Sequence, residues 1–157
     1  MAILDSGARR DFGTGAVRDV AEGKGRCDLM PLDVVGTLIE SPIIESIDEY
    51  VRKGKIGSLL DAILLFIACE FPDRFTAMIE LSKHYEDGCK KYGDRNWEKG
   101  IPLHCYIDSA TRHLLKYYRG DKDENHHLAF IWNLSCAIWT HNHKPELIDL
   151  PFKDTGN

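Results

Sequence analysis

The sequence predicts an all-α fold, a helical bundle preceded by an irregular, Gly-rich arm. Three observations predict it. Helix start and stop signals recur along residues 31–157, strand-type alternation of apolar and polar residues is scarce, and two long apolar stretches have helical rather than strand length. No internal repeat is present, and 157 residues are enough for one domain with its own core.

The elements follow in order. Residues 1–30 carry Gly7, Gly13, Gly15, Gly23 and Gly25 among the cations Arg9, Arg10, Arg18, Lys24 and Arg26, which reads as an arm without regular structure. Such an arm is either a loose tail or a segment laid over a site or a neighbouring subunit. Cys27 to Leu32 is apolar enough to anchor it. The helical domain spans residues 31–157. Ser41-Pro42 opens a helix, with a capping hydroxyl and a proline at the first helical position, and Arg52-Lys53-Gly54 ends it. Residues 56–69 are nearly all apolar and make a central helix. Pro72 opens the next, which runs to about Tyr92. Residues 103–119 form a fourth helix, ended by Gly120, and residues 122–141 a fifth, again mostly apolar.

The bulk numbers exclude several classes. Hydrophobic residues make up 43% and charged residues 29%, and the net charge is −5, the wrong sign for general binding to a nucleic-acid backbone. Five cysteines without a Cys-x-x-Cys pair speak against a disulfide framework or a thiolate zinc site. The opening residues lack the apolar core of a secretory signal, and the apolar run Ala62 to Cys69 falls far short of the ~20 residues of a membrane helix. A cytoplasmic location is expected, with no membrane and no nucleic-acid partner. Apolar stretches in so small a helical protein point to a homo-oligomer.

The polar faces carry the chemistry. At ~100° per residue, Met78, Leu81, Tyr85 and Tyr92 fall on one side of the 72–92 helix, and Glu80, His84, Asp87 and Lys91 on another. Glu86 and Lys90 flank them at ion-pair spacing, so a solvated salt-bridged surface is the ordinary account of this face. Ser109, Arg112, His113 and Lys116 share a side of the next helix, where Arg and Lys make a natural phosphate grip. In Asp121-Lys122-Asp123-Glu124-Asn125-His126-His127, Asp121 and Glu124 fit a capping box. Asp123 and Glu124 also stand four and three residues before His127, spacings that aim two ligand-type side chains the same way on a helix. Asn133, deep in an apolar run, either binds a base edge or ties two helices together. Bundles build metal and ligand sites from facing helices in this way, and carboxylates suit Mg²⁺ or Mn²⁺.

His84-Tyr85-Glu86-x-Gly88, followed by Lys91-Tyr92-Gly93-x-Arg95-Asn96-Trp97-Glu98-Lys99-Gly100-Ile101-Pro102, resembles the phage-type dATP/dGTP diphosphohydrolases, the MazZ-type branch of the MazG-like all-α NTP pyrophosphatases. So do Asp108-Ser109-Ala110-x-Arg112-His113, Asp123-Glu124-x-His126-His127-Leu128-Ala129 with Trp132-Asn133, and the arm segments Phe12-x-Thr14-Gly15-Ala16-x-Arg18-Asp19 and Gly23-Lys24-x-Arg26-x-Asp28-Leu29-x-Pro31. The resemblance implies a MazG-like bundle, and cleavage of dGTP or dATP to the monophosphate and pyrophosphate. It also implies two or more Mg²⁺ or Mn²⁺ ions on acidic residues, dimers or tetramers, and supply of dGMP in phages whose DNA carries 2-aminoadenine. MazG-like enzymes place Glu-x-x-Glu on one helix and Glu-x-x-Asp on another. Here Lys83 stands three residues before Glu86, and His127 three after Glu124. On this reading Glu86 and Glu124 are catalytic, and Glu80, Glu86, Asp123, Glu124 and His127 are the metal candidates. Lys24, Arg26, Lys90, Lys91, Arg95, Asn96, Trp97, Arg112, His113, Lys116 and Asn133 are the substrate-binding candidates.

Overall fold

The computed structural model describes residues 4–154. Helices dominate, and the only sheet among these residues is a two-stranded hairpin. The hairpin pairs β1 (Arg9–Asp11) with β2 (Val17–Asp19) antiparallel, with Arg10 opposite Arg18. It corrects the expectation of a wholly irregular arm. Strands of three residues are too short to show alternation, so the signal lies in the turn. There Gly13 and Gly15 adopt positive φ, and Asp11 Oδ1 accepts a hydrogen bond from the Gly13 amide at 2.6 Å.

Behind the hairpin, a 3₁₀ turn at Cys27–Leu29 leads into a short helix not expected from the sequence, α1 (Leu32–Leu38). Next come α2 (Pro42–Lys53), α3 (Ile56–Glu70), α4 (Arg74–Tyr92), α5 (Leu103–Arg119), α6 (His126–His143) and α7 (Pro151–Asp154). The boundaries of α2 follow the sequence signals. Ser41 Oγ accepts from the Ile44 amide at 3.2 Å, and Gly54 takes the left-handed conformation at the other end. α4 starts later than Pro72 implied, because Asp73 takes the cap and accepts from the Thr76 amide at 2.6 Å. α6 starts at His126, four residues later than expected. The Asp121–Glu124 capping box does not form: Asp121 pairs with Arg119, and Glu124 turns toward His113.

The core lies where α5 and α6 pack along their lengths, with α3 and α4 against α6 and α2 against α3. Phe66 is fully buried at its centre, with Phe71, Tyr117 and Phe130 around its ring. One strip of α3 and α4 stays uncovered. Leu60, Leu64, Met78, Ile79 and Phe75 are exposed, Phe75 by 83%. Met78 therefore departs from the packed side on which helical spacing put it. No helix of the described residues is long and apolar enough to cross a membrane.

The segment after α6 is fastened to the start of α5. Asp149 Oδ1 accepts from the His104 amide at 2.9 Å, and Asp149 Oδ2 pairs with His104 Nδ1. An acid at a helix start answers its unpaired amides and dipole. The hydrogen bond to Asp149, with a smaller contribution from Cys105, raises the His104 pKa to about 10. Folding thus favours the protonated ring. This stabilisation is complete below the ordinary histidine pKa of ~6.5 and disappears as pH climbs toward 10. Urea midpoints are expected to fall between pH 7 and 10, and to fall less steeply in Asp149→Asn. Equal slopes in the two proteins would contradict this account, and solvent screening keeps the effect modest because both side chains are partly exposed.

Candidate functional site

A cleft opens between the arm and the outer faces of α4, α5 and α6. α4 presents His84, Gly88, Lys91 and Tyr92 at helical spacing, α5 presents Ser109, Arg112, His113 and Lys116, and α6 presents Ala129, Trp132 and Asn133. The arm supplies Arg10, Arg18, Asp19 and Lys24, and the loop before α6 supplies Glu124. Six lysine and arginine side chains therefore meet two carboxylates, an excess of four positive charges in a chain whose net charge is −5. The lining histidines do not supply this charge at neutral pH. Burial lowers the His84 pKa to about 4, and burial together with His126 holds His113 well below its ordinary value.

The arm is fixed over the cleft by partly buried hydrogen bonds. Arg18 reaches between α5 and α6, donating to Ser109 Oγ and Asn133 Oδ1, both at 3.1 Å. Its guanidinium lies over the rings of Tyr106 and Trp132. The Asn96 amide pairs with the backbone of Val17 in β2, accepting from Val17 N at 2.9 Å and donating to Val17 O at 2.7 Å. Thr14 Oγ1 donates to Gly100 O at 2.6 Å. Gly100 sits at φ +115°, a backbone conformation that residues with a Cβ rarely adopt. Farther along, Asp108 accepts from the Cys27 amide at 2.7 Å and from Arg112 at 2.9 Å. The anchor expected at Cys27 thus docks on α5.

One end of the cleft holds ligand-type side chains. His113 Nδ1 and His126 Nδ1 are 2.9 Å apart, and Glu124 Oε1 lies 3.5 Å from the first and 3.6 Å from the second. His126 is fully buried and donates from Nε2 to Asp123 Oδ1 at 2.7 Å. That bond lowers the Asp123 pKa. Among the described residues, two groups bring enough donor atoms together to hold a metal ion: His113, Glu124 and His126, and Asp121, Asp123 and His126.

Of the residues expected from the sequence, Lys24, Lys91, Arg112, His113, Lys116, Glu124 and Asn133 share this cleft. Others lie elsewhere. Asn96 is occupied by the arm backbone, and Trp97 packs edge-on against Tyr85 and Trp139. Arg26 pairs with Asp28 at 2.7 Å, and Lys90 and Arg95 are exposed. Glu80 pairs with Lys83 at 2.9 Å. Glu86 is exposed, two residues past His84 and so on the far side of α4 from the cleft. His127 stacks on Tyr117 and faces Phe71. The argument that aimed Asp123 and Glu124 at His127 assumed a helix through residues 122–127. Helix begins only at His126, and the loop turns both acids toward His126 and His113 instead. Sequence reasoning did not select Arg10, Arg18, His84, Ser109, Trp132, Asp121 or His126. The available signal for His126 was a His-His pair at the mouth of an apolar helix.

A helical bundle with a strongly basic, partly roofed cleft, and donor atoms for a metal at one end, defines a protein suited to a small polyanion. The family described as dATP/dGTP diphosphohydrolase, N-terminal, matches residues 60–150, more than half of the chain. The protein belongs to that family. No curated protein and no solved structure matches it significantly. The matched segment contains the α4, α5 and α6 walls of the cleft, whereas Arg10, Arg18 and Lys24 lie outside it.

Replacing Asn96 by Ala removes two partly buried hydrogen bonds and leaves the Val17 backbone groups unanswered. A loss of about 1–3 kcal/mol is expected, read as a lower urea midpoint, together with faster amide exchange at residues 17–19. Unchanged exchange there would show that Asn96 does not hold the arm.

Proposed function

We propose that this cleft binds dGTP or dATP, and that the protein hydrolyses the bond between the α- and β-phosphates, releasing the monophosphate and pyrophosphate. The observation that carries the reading is the excess of four positive charges lining a cleft in an acidic protein, in a chain of the dATP/dGTP diphosphohydrolase family. A triphosphate needs such compensation, and arginine forks and lysine point charges provide it in a confined space.

The chain's residues divide the work. Arg112 and Lys116 on α5, with Lys24 and Lys91 opposite, offset charge on the phosphates and on the departing pyrophosphate. Glu124 orients and deprotonates the attacking water. The acids and histidines that converge at residues 113 and 121–126 fit a divalent ion. A divalent ion held there would offset charge on phosphate oxygens and acidify water. Tyr92 and Trp132 provide the cleft's aromatic surface for the purine, since Trp97 is engaged elsewhere. The arm limits water access on one side, as a lid does. The uncovered strip on α3 and α4 supports assembly into dimers or tetramers. Supply of dGMP in phages with 2-aminoadenine DNA is the setting that the family resemblance favours.

Chromatography after incubation with each dNTP and Mg²⁺ or Mn²⁺ is expected to show dGMP or dAMP plus pyrophosphate. Release of intact triphosphate, or binding without turnover, would overturn the proposal. Glu124→Gln is expected to lower kcat by roughly 100-fold or more, and Lys116→Ala to raise KM about tenfold. Glu86→Gln is the discriminating comparison. A loss there equal to that in Glu124→Gln would return the chemistry to the far face of α4.

A further inference from the structure

We propose that His113, His126 and Glu124 form a metal site built for a transition-metal ion rather than for Mg²⁺. The proposal deepens the nucleotide reading, because the site lies at the end of the same cleft, but it stands on its own geometry. The three donor atoms, His113 Nδ1, His126 Nδ1 and Glu124 Oε1, are separated by 2.9, 3.5 and 3.6 Å. Around an ion with ligand bonds of ~2.0–2.2 Å, adjacent donors in octahedral or tetrahedral coordination lie about 2.8–3.6 Å apart. The trio already has the dimensions of one face of such a polyhedron.

The donor chemistry narrows the ion. Mg²⁺ keeps an octahedron of oxygens and rarely takes imidazole, whereas two imidazoles and one carboxylate suit Mn²⁺, Fe²⁺, Co²⁺ or Zn²⁺. A second, independent feature marks His126 as a ligand. Asp123 accepts the Nε2 proton of this fully buried ring at 2.7 Å. That bond places the lone pair of the neutral ring on Nδ1, the atom facing His113 and Glu124. Carboxylates that fix a liganding histidine in this manner are the usual outer support of protein metal sites.

Three protein donors leave coordination positions open. His113 and Glu124 line the cleft, so those positions face it, beside Arg112 and Lys116. The two cations oppose a bare metal ion and favour one that also carries an anionic ligand. A phosphate oxygen bridging metal and cations fits that requirement.

The test uses Co²⁺ alone, without nucleotide. Adding Co²⁺ to the full chain is expected to produce a visible d–d absorption band saturating at one ion per chain. Zn²⁺ should displace it, and about a hundredfold excess of Mg²⁺ should not. Asp123→Asn, on an exposed loop, is expected to weaken Co²⁺ binding roughly 10–100-fold while the circular dichroism stays unchanged. Glu124→Gln and His113→Ala should each abolish the band. No band in the natural protein at millimolar Co²⁺, displacement by Mg²⁺, or a band unaffected by all three substitutions would overturn the proposal. Normal Co²⁺ binding with no dNTP hydrolysis under any metal would instead refute the nucleotide reading and leave the metal site standing.

Discussion

The insertion of Arg18 between α5 and α6 is the interaction on which the cleft depends. A half-buried guanidinium is held best when both its hydrogen bonds and its ring faces are answered. Ser109 and Asn133 accept its protons, and Tyr106 and Trp132 lie against its planes. The acceptors come from two different helices, so the arm docks only when α5 and α6 are correctly packed. Asn133 completes the arrangement by donating to the Ala129 carbonyl at 2.8 Å, which fixes the direction of its amide. Lysine could not replace Arg18, since a single ammonium cannot span two acceptors while stacking on a ring. Once Arg18 is seated, Arg10 beside it and Lys24 beyond it are carried to the rim of the cleft.

That placement concentrates like charge, which is costly unless an anion is to be bound. Asp19 relieves part of the cost. Its carboxylate lies 3.9 Å from Lys24, 3.8 Å from Lys91 and 3.8 Å from Arg9. Burial works against its ionisation, but hydrogen bonds from Ser6 and the nearby lysines hold its pKa below the ordinary value. Arg112 is likewise balanced by Asp108. Among the described residues, Lys116 has no such partner on its own helix face. The geometry therefore separates two tasks along one groove: charge compensation along its walls, and metal-type ligands at its end.

How much of this was legible in the sequence depends on the kind of signal. The helices that bound the core were readable, because Ser41-Pro42, Gly54 and Gly120 state their limits locally and the apolar runs of α3 and α6 state their burial. The phosphate-type face of α5 was also readable, since Ser109, Arg112, His113 and Lys116 share a side by simple helical spacing. The start of α6 was not. Spacing rules applied to residues 122–127 assume helix, and the pairing of Asp121 with Arg119 keeps that segment outside it. His127 was chosen for that reason, when the residue one step earlier turns inward. Asn96 and Trp97 illustrate a different limit. An amide and an indole in a glycine-rich loop look the same whether they meet a base or the protein's own backbone, and only the three-dimensional approach of β2 and α6 decides.

The central claim is that the arm and the α5 face form one polyanion site. Hydrogen–deuterium exchange tests it most directly, with and without a dGTP analogue that carries a methylene between its α- and β-phosphates. The account predicts slower exchange in residues 10–24 and 109–116 on binding, and little change in residues 60–79 of α3 and the first turns of α4. Protection confined to the exposed face of α4 around Glu86, or no protection of the arm, would contradict it.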